Sequence, residues 1–147
     1  MYKKILIATD GSESNKKAVV HGIEIAKLSG AELHTIYVVD TKGYGCGPES
    51  CISTELSPEK LTMILRRQGD DATKYIENIA KKEGLETERW IVEGNPADEI
   101  LKLAEKQSVD LIVMGTLGMS GIEKFLLGSV ADKVIRNSRI PVLTVRK

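Results

Sequence analysis

DLIVMGTLGMSGIEKFLLGSVADKVIRNSRIPVLTV, residues 110–145, contains the pattern that decides the fold. Asp110-Leu111-Ile112-Val113-Met114 is a short apolar run of β type, and Gly115 and Gly118 break the chain directly after it. Gly128-Ser129-Val130-Ala131 then opens a helix, and Pro141-Val142-Leu143-Thr144-Val145 is a second apolar run of β type. A strand, a glycine-rich segment, a helix and another strand imply parallel pairing, because a right-handed crossover lays the helix over the sheet.

The same alternation extends back to the first residues. Further β-rich runs occupy residues 4–8, 32–39 and 88–92. Between the first two, Ala18, Gly22, Ile25 and Ala26 share one helical face, and Gly30 supplies a stop. Ser57-Pro58 reads as an N-cap with proline at the first helical position; Leu61, Leu65, Ala72, Ile76, Ile79 and Ala80 then form a stripe ending at Gly84. Asn95-Pro96-Ala97-Asp98 repeats that start signal ahead of Ile100, Leu101 and Ala104. Five strands alternating with four helices predict a single α/β domain over residues 1–147, an open, doubly wound, five-stranded parallel sheet of Rossmann-like type. No internal repeat or linker interrupts it. Ligands of such sheets bind outside the carboxyl ends of the strands where strand order reverses, so the turns after strands one, two and four are the places to look. The connection from Asp40 to Ser57, with Gly43, Gly45, Gly47 and Pro48, is long for a compact domain and is expected to be mobile or ligand-covering.

Charge narrows the partners. Twenty-one Lys and Arg balance 21 Asp and Glu, so no global field favours nucleic acid or an anionic bilayer. Basic residues cluster only in pairs such as Lys3-Lys4 and Arg66-Arg67, and an aromatic content of 4% leaves few platforms for stacked bases. The apolar runs fall far short of the roughly 18 residues that span a membrane, and the first ten residues contain no secretory h-region. The expectation is a soluble, cytoplasmic protein that binds neither nucleic acid nor membrane.

The chemistry concentrates in G-x2-G-x9-G-S, formed by Gly115, Gly118, Gly128 and Ser129. Glycines let backbone N–H groups approach an anion with no β-carbon in the way, and a helix N-terminus adds orphan N–H groups and a favourable dipole. The Ser129 hydroxyl is a further donor. Such a loop can hold a triphosphate through main-chain groups without an obligatory lysine. G-x-x-x-x-G-K-[ST] is absent, and the first strand-to-helix turn, Ala8-Thr9-Asp10-Gly11-Ser12-Glu13-Ser14, lacks G-x-G-x-x-G, which excludes a P-loop and a dinucleotide fingerprint. The paired acids and the lysine of a phosphoacceptor receiver domain are also missing.

These motifs resemble the ATP-binding branch of the universal stress protein family along essentially the whole chain. The likeness rests on KKILIATDGSE at residues 3–13, Tyr37-Val38-Val39-Asp40, Gly94-Asn95-Pro96-Ala97-Asp98-Glu99-Ile100 and the block from Asp110 to Lys147. The resemblance implies an adenine-nucleotide-alpha-hydrolase-like fold in which the glycine motif binds the phosphates and ribose of ATP. Carried over by position, Ala8, Thr9 and Asp10 line the adenosine and the Val38 backbone contacts adenine. Met114, Gly115, Gly118, Gly128, Ser129 and Val130 surround ribose and phosphates. The family often has Arg or His where this chain has Leu117, which points to weaker phosphate binding; Lys124 is either a compensating charge or a solvated lysine. The resemblance also implies a homodimer joined through the C-terminal strand, residues 141–145, whose edge otherwise needs cover.

The expected activity is that of an ATP-binding stress-response regulator or sensor, with ATP or AMP as ligand and Mg²⁺ or Mn²⁺ carried on the phosphates. No histidine lies in the motif and no paired carboxylates stand ready for two metals, so no catalytic residue and no protein metal site is assigned, and hydrolysis is slow at most. Two rivals remain. A PP-loop enzyme of the adenine-alpha-hydrolase type needs S-G-G-x-D-S, which residues 10–14 only faintly echo. A nucleotide-free dimeric interaction module would not need the intact motif. Asp10 reads either as a nucleoside contact or as a helix cap with Ser12, and both roles are compatible. His21 and His34 read as packing or surface residues, and Trp90 as core. Cys46 and Cys51 are free thiols, a loop-closing disulfide, or an intermolecular bridge or shared metal site.

Overall fold

The computed structural model describes residues 1–42, 57–117 and 127–147. Its strands are β1 (Lys4–Ala8), β2 (Glu32–Val39), β3 (Thr87–Glu93), β4 (Leu111–Gly115) and β5 (Val142–Val145). Its helices are α1 (Lys16–Ser29), entered through a 3₁₀ turn at Glu13–Asn15, α2 (Pro58–Lys82), α3 (Pro96–Lys106) and α4 (Ser129–Asn137). The strands form one parallel sheet in the order β3-β2-β1-β4-β5. The predicted doubly wound α/β architecture is present. Order reverses at β1: the chain first builds outward through β2 and β3, then returns to place β4 on the other side of β1.

Both faces of the sheet are covered, as the continuous apolar strands require. Ile5, Ile7 and Leu33 pack on Ala18, Val19, Ile23 and Ala26 of α1 and Ile76 and Ala80 of α2. The alternate residues Leu6, Ala8, Ile36, Ile112 and Met114 pack on Ile100, Leu103 and Ala104 of α3 and Ala131 and Val134 of α4. Each large aliphatic side chain buried here contributes about 1.5–3 kcal/mol. Two glycines set the spacing of the first face: a β-carbon at Gly22 would stand 2.6 Å from Ile7 Cδ1, and one at Gly69 would stand 2.6 Å from the Tyr37 ring.

Ser57 and Asn95 cap α2 and α3 as the sequence predicts, accepting from the backbone N–H of Lys60 and Asp98 respectively, both at 3.3 Å. Gly30 ends α1 in the left-handed conformation, φ 65°. On α1 the buried face is completed by Val19 and Ile23, while Ile25 is only partly buried. Trp90, expected in the core, packs against the second core cluster but stays half-buried, because β3 is an edge strand with a neighbour on one side only. Among the described residues, no helix is long and apolar enough to cross a membrane.

Candidate functional site

The reversal of strand order at β1 leaves a gap at the carboxyl ends of three strands. Pairing of β1 with β2 runs to Ala8↔Ile36, and the Thr9 N–H adds one more bond, 3.0 Å, to the Ile36 carbonyl. Pairing of β1 with β4 stops earlier, at Ile7↔Val113. Both neighbours continue past β1: β2 to Val39 and β4 to Gly115. Main-chain groups of alternate residues point to the same side of a strand. Val38 therefore turns its N–H and carbonyl toward β1, as Ile36 does, but beyond the last rung. Gly115 does the same from the opposite side, two residues past Val113. The gap is walled by main-chain donors and acceptors outside the two ladders.

The first turn forms one lip of this gap. Asp10 Oδ1 accepts from the Ser12 N–H at 2.9 Å and from the Ser12 hydroxyl at 2.5 Å, while Thr9 Oγ1 accepts from the Gly11 N–H at 3.1 Å. Gly11 has φ 78°, a conformation that favours glycine. Asp10 thus spends one carboxylate oxygen on an Asx turn with Ser12, the residue at which the 3₁₀ turn begins, and caps no helix directly among the described residues.

The other lip is the start of α4. Thr116, 7% exposed, donates its N–H to the Val145 carbonyl at 3.1 Å and accepts from the Gly128 N–H. These bonds pin the two ends of the glycine segment to each other and to β5. Gly128 is the N-cap of α4 and supplies no side-chain cap, and the first helical bond runs from the Asp132 N–H to the Gly128 carbonyl. The N–H groups of Ser129, Val130 and Ala131 precede that bond and need another acceptor. Ser129 is exposed, Val130 half-buried and Ala131 buried.

Of the residues singled out from the sequence, Thr9, Asp10, Val38, Gly115, Gly128, Ser129 and Val130 meet at this end of the sheet. Ala8 and Met114 turn their side chains into the core, at 4% and 5% exposure, so only their main chains border the gap. Gly118, Lys124, Cys46 and Cys51 lie outside the described residues. A cleft of about 400 Å³ adjoins the first turn on the α1 and α2 side, lined by Asp10, Glu13, Lys16, Asp71 and Tyr75 among others. There Lys16 pairs with Glu13 at 2.7 Å and lies 5.4 Å over the Tyr75 ring. The Glu13 carboxylate holds its ammonium above the usual lysine range. Among the described residues no cluster of three or more His, Cys, Asp or Glu has the arrangement of a metal site.

Asn15 escaped the sequence reading. It is 5% exposed and its Nδ2 donates to the Ala8 carbonyl at 3.2 Å. As the residue preceding α1 it has the signature of an ordinary N-cap, and no signal within the sequence marks its inward turn.

A model of the universal stress protein family matches residues 1–146. The chain is 44% identical over 147 residues to the universal stress protein MJ0531 of Methanocaldococcus jannaschii, covering 100% of this chain and 84% of that one. It is 33% identical to MJ0577 of the same organism, whose solved structure matches with a TM-score of 0.82 over 100% of this chain and 97% of that one. A solved universal stress protein in complex with cAMP is 29% identical and matches with a TM-score of 0.69 over 99% of this chain and 97% of its own.

Proposed function

The chain belongs to the universal stress protein family, and from that membership we propose that it is an ATP-binding regulator or sensor with slow hydrolysis at most. The observation that carries this reading is the gap at the end of β1. The Val38 main chain on one side offers an edge-on donor and acceptor to a purine, while Gly115 and the uncapped start of α4 offer N–H groups to phosphates. The cAMP complex of a relative supports the adenine-nucleotide class. In this reading Thr9 and Asp10 border the adenosine, and Gly118, Gly128, Ser129 and Val130 take the phosphates. Gly118 enters on its place in the sequence motif alone.

Gly115 gives independent support. A β-carbon there would lie 3.4 Å from Asn15 Nδ2 and 3.7 Å from the Leu117 carbonyl oxygen, ordinary contacts, and its φ is not positive. Unlike Gly22 and Gly69, it meets no neighbour among the described residues that demands glycine. Close approach of a ligand supplies the missing reason. A divalent cation would travel on the triphosphate oxygens, where phosphates and waters provide its ligands.

The homodimer through residues 141–145 belongs to the same proposal, as do a cytoplasmic setting and the absence of nucleic-acid and membrane partners. β5 is four residues long and half-buried, with Val142, Leu143 and Val145 on an edge that a second copy would cover. Calorimetry with ATP and Mg²⁺ tests the nucleotide reading. Wild type is expected to bind, Ser129→Ala to bind more weakly, and Gly118→Val to lose about 100-fold or more in affinity. Unchanged affinity in Gly118→Val would overturn it, as would the absence of nucleotide both from calorimetry and from the denatured purified protein.

A further inference from the structure

The side chain of Asn15 turns inward from the 3₁₀ entry to α1 and is buried. Asn15 closes the 3₁₀ turn with helical φ −83° and ψ −16°, unlike Asn95, whose extended backbone lets its side chain cap α3. Asn15 makes no such bond. Its Nδ2 reaches across the turn to the Ala8 carbonyl, 3.2 Å away, and lies 3.4 Å from where a Gly115 β-carbon would stand. The amide orientation follows from chemistry, since the reverse would set two carbonyl oxygens against each other. In this orientation Oδ1 is buried and has no hydrogen-bond partner among the described residues. An orphaned buried acceptor is a cost that an apolar residue would avoid, so stability alone does not explain the amide.

Its effect on the sheet does. With the β1–β4 register ending at Ile7↔Val113, the next rung would carry the Gly115 N–H to the Ala8 carbonyl. Asn15 occupies that carbonyl instead. The ladder stops one rung early, and the Gly115 N–H stays outside it, facing the gap between β1 and β4.

We propose that Asn15 is a positioning residue for nucleotide binding: by engaging the Ala8 carbonyl it keeps the Gly115 N–H available to the ligand and holds the β1–β4 gap at its working width. This rests on the nucleotide reading of the site and names the residue that sets its geometry. Asn15 touches the end of each strand and acts through them.

The test uses wild type, Asn15→Ala and Asn15→Asp, with ATP–Mg²⁺ affinity measured by calorimetry at pH 5.5 and pH 8, each variant compared with wild type at the same pH. Asn15→Ala is expected to bind about tenfold more weakly at both pH values. Asn15→Asp is expected to bind at least as weakly at pH 8, where an ionised carboxylate would face the Ala8 carbonyl. At pH 5.5 the introduced carboxyl group, buried and therefore readily protonated, donates to that carbonyl and restores affinity to within about threefold of wild type. A purely structural loss would not be rescued by a proton. Wild type carries a second readout that needs no variant: the side-chain amide resonance of Asn15 should shift on addition of nucleotide. Variants that match wild type at both pH values, or an amide resonance that ignores bound nucleotide, overturn the role of Asn15 while leaving the nucleotide reading intact. Failure of wild type itself to bind overturns both.

Discussion

The two ends of the sheet follow opposite rules. At the amino end a side chain clasps two strand starts: the Asp110 carboxylate takes the backbone N–H groups of Lys3 and Lys4 at 2.8 and 3.1 Å, and the Asp110 N–H donates to the Lys4 carbonyl at 3.0 Å. Trp90 on β3 donates to His34 on β2 in the same half of the sheet. At the carboxyl end β1 stops short between longer neighbours and four helices begin. Of these, α2 and α3 are capped by their own side chains, while α1 and α4, which flank the gap, are not. The Lys16 N–H at the start of α1 is taken by the Glu13 carbonyl of the 3₁₀ turn, whereas α4, which opens on the gap, has no side-chain cap among the described residues. The amino end is closed by a side-chain clasp, while the carboxyl end leaves main-chain groups open toward the proposed ligand.

The largest effect is expected from capping α4 from within. Gly128 has φ −71° and ψ 161°, which any residue adopts, so Gly128→Asp introduces no backbone strain. Its carboxylate would accept from the first-turn N–H groups and place a negative charge where phosphates are proposed to sit. Stability is expected to hold or to rise by a few tenths of a kcal/mol, while ATP affinity falls by about 100-fold or more. Thermal melting and calorimetry on the same preparation check both halves. Retained affinity with a more stable fold would show that the α4 terminus is not the anion site.

The converse change sharpens the contrast. Asp110→Ala removes an acceptor serving two backbone N–H groups at the opposite end, with a cost of about 2 kcal/mol for a partly exposed, charge-assisted pair. Nucleotide affinity should stay within about twofold of wild type, because the clasp and the gap lie at opposite ends of the same strands. An affinity loss as large as the stability loss would contradict the division of labour.

What was legible in the sequence was local. Ser57-Pro58 and Asn95-Pro96 announce their helices because a cap and the N–H that donates to it lie within four residues, and strand periodicity exposes β1, β2 and β4 because both faces are buried. The glycine motif places Gly128 and Ser129 correctly, since strand exit and helix entry are also local events. Asn15 was not legible: its bond to Ala8 spans only seven residues, but its place beside Gly115 depends on β4 passing next to the turn, about 100 residues later. The partial exposure of Trp90, which otherwise packs on the core, is illegible for the same reason. Its position on an edge strand follows from strand order, which periodicity does not encode.

Trp90 and His34 provide the smallest and most specific test of the amino end. The Trp90 indole N–H donates to His34 Nδ1 at 3.1 Å, with the rings stacked at an 8° interplanar angle and 6.4 Å between centroids. Nδ1 as an acceptor means a neutral imidazole with its proton on Nε2. Burial pushes the His34 pKa below its usual value, aided by Lys4, while Glu88 at 3.4 Å and Glu32 at 3.9 Å pull it back only in part. With the folded value below the unfolded one, the folded state binds fewer protons, so the contribution of His34 is complete above about pH 6.5 and is lost as pH falls through the folded value. The melting temperature should therefore drop between pH 7.5 and pH 5.5 by more in wild type than in His34→Gln, which keeps a side-chain acceptor but cannot titrate. Trp90 is the single tryptophan of the chain, so its fluorescence reports the event directly. Protonation ends the indole hydrogen bond and turns Nδ1 into a donor for Glu88, and emission should change over that pH window in wild type alone. An identical fluorescence titration in His34→Gln would remove His34 from the account and leave the acid sensitivity of the amino end to its carboxylates.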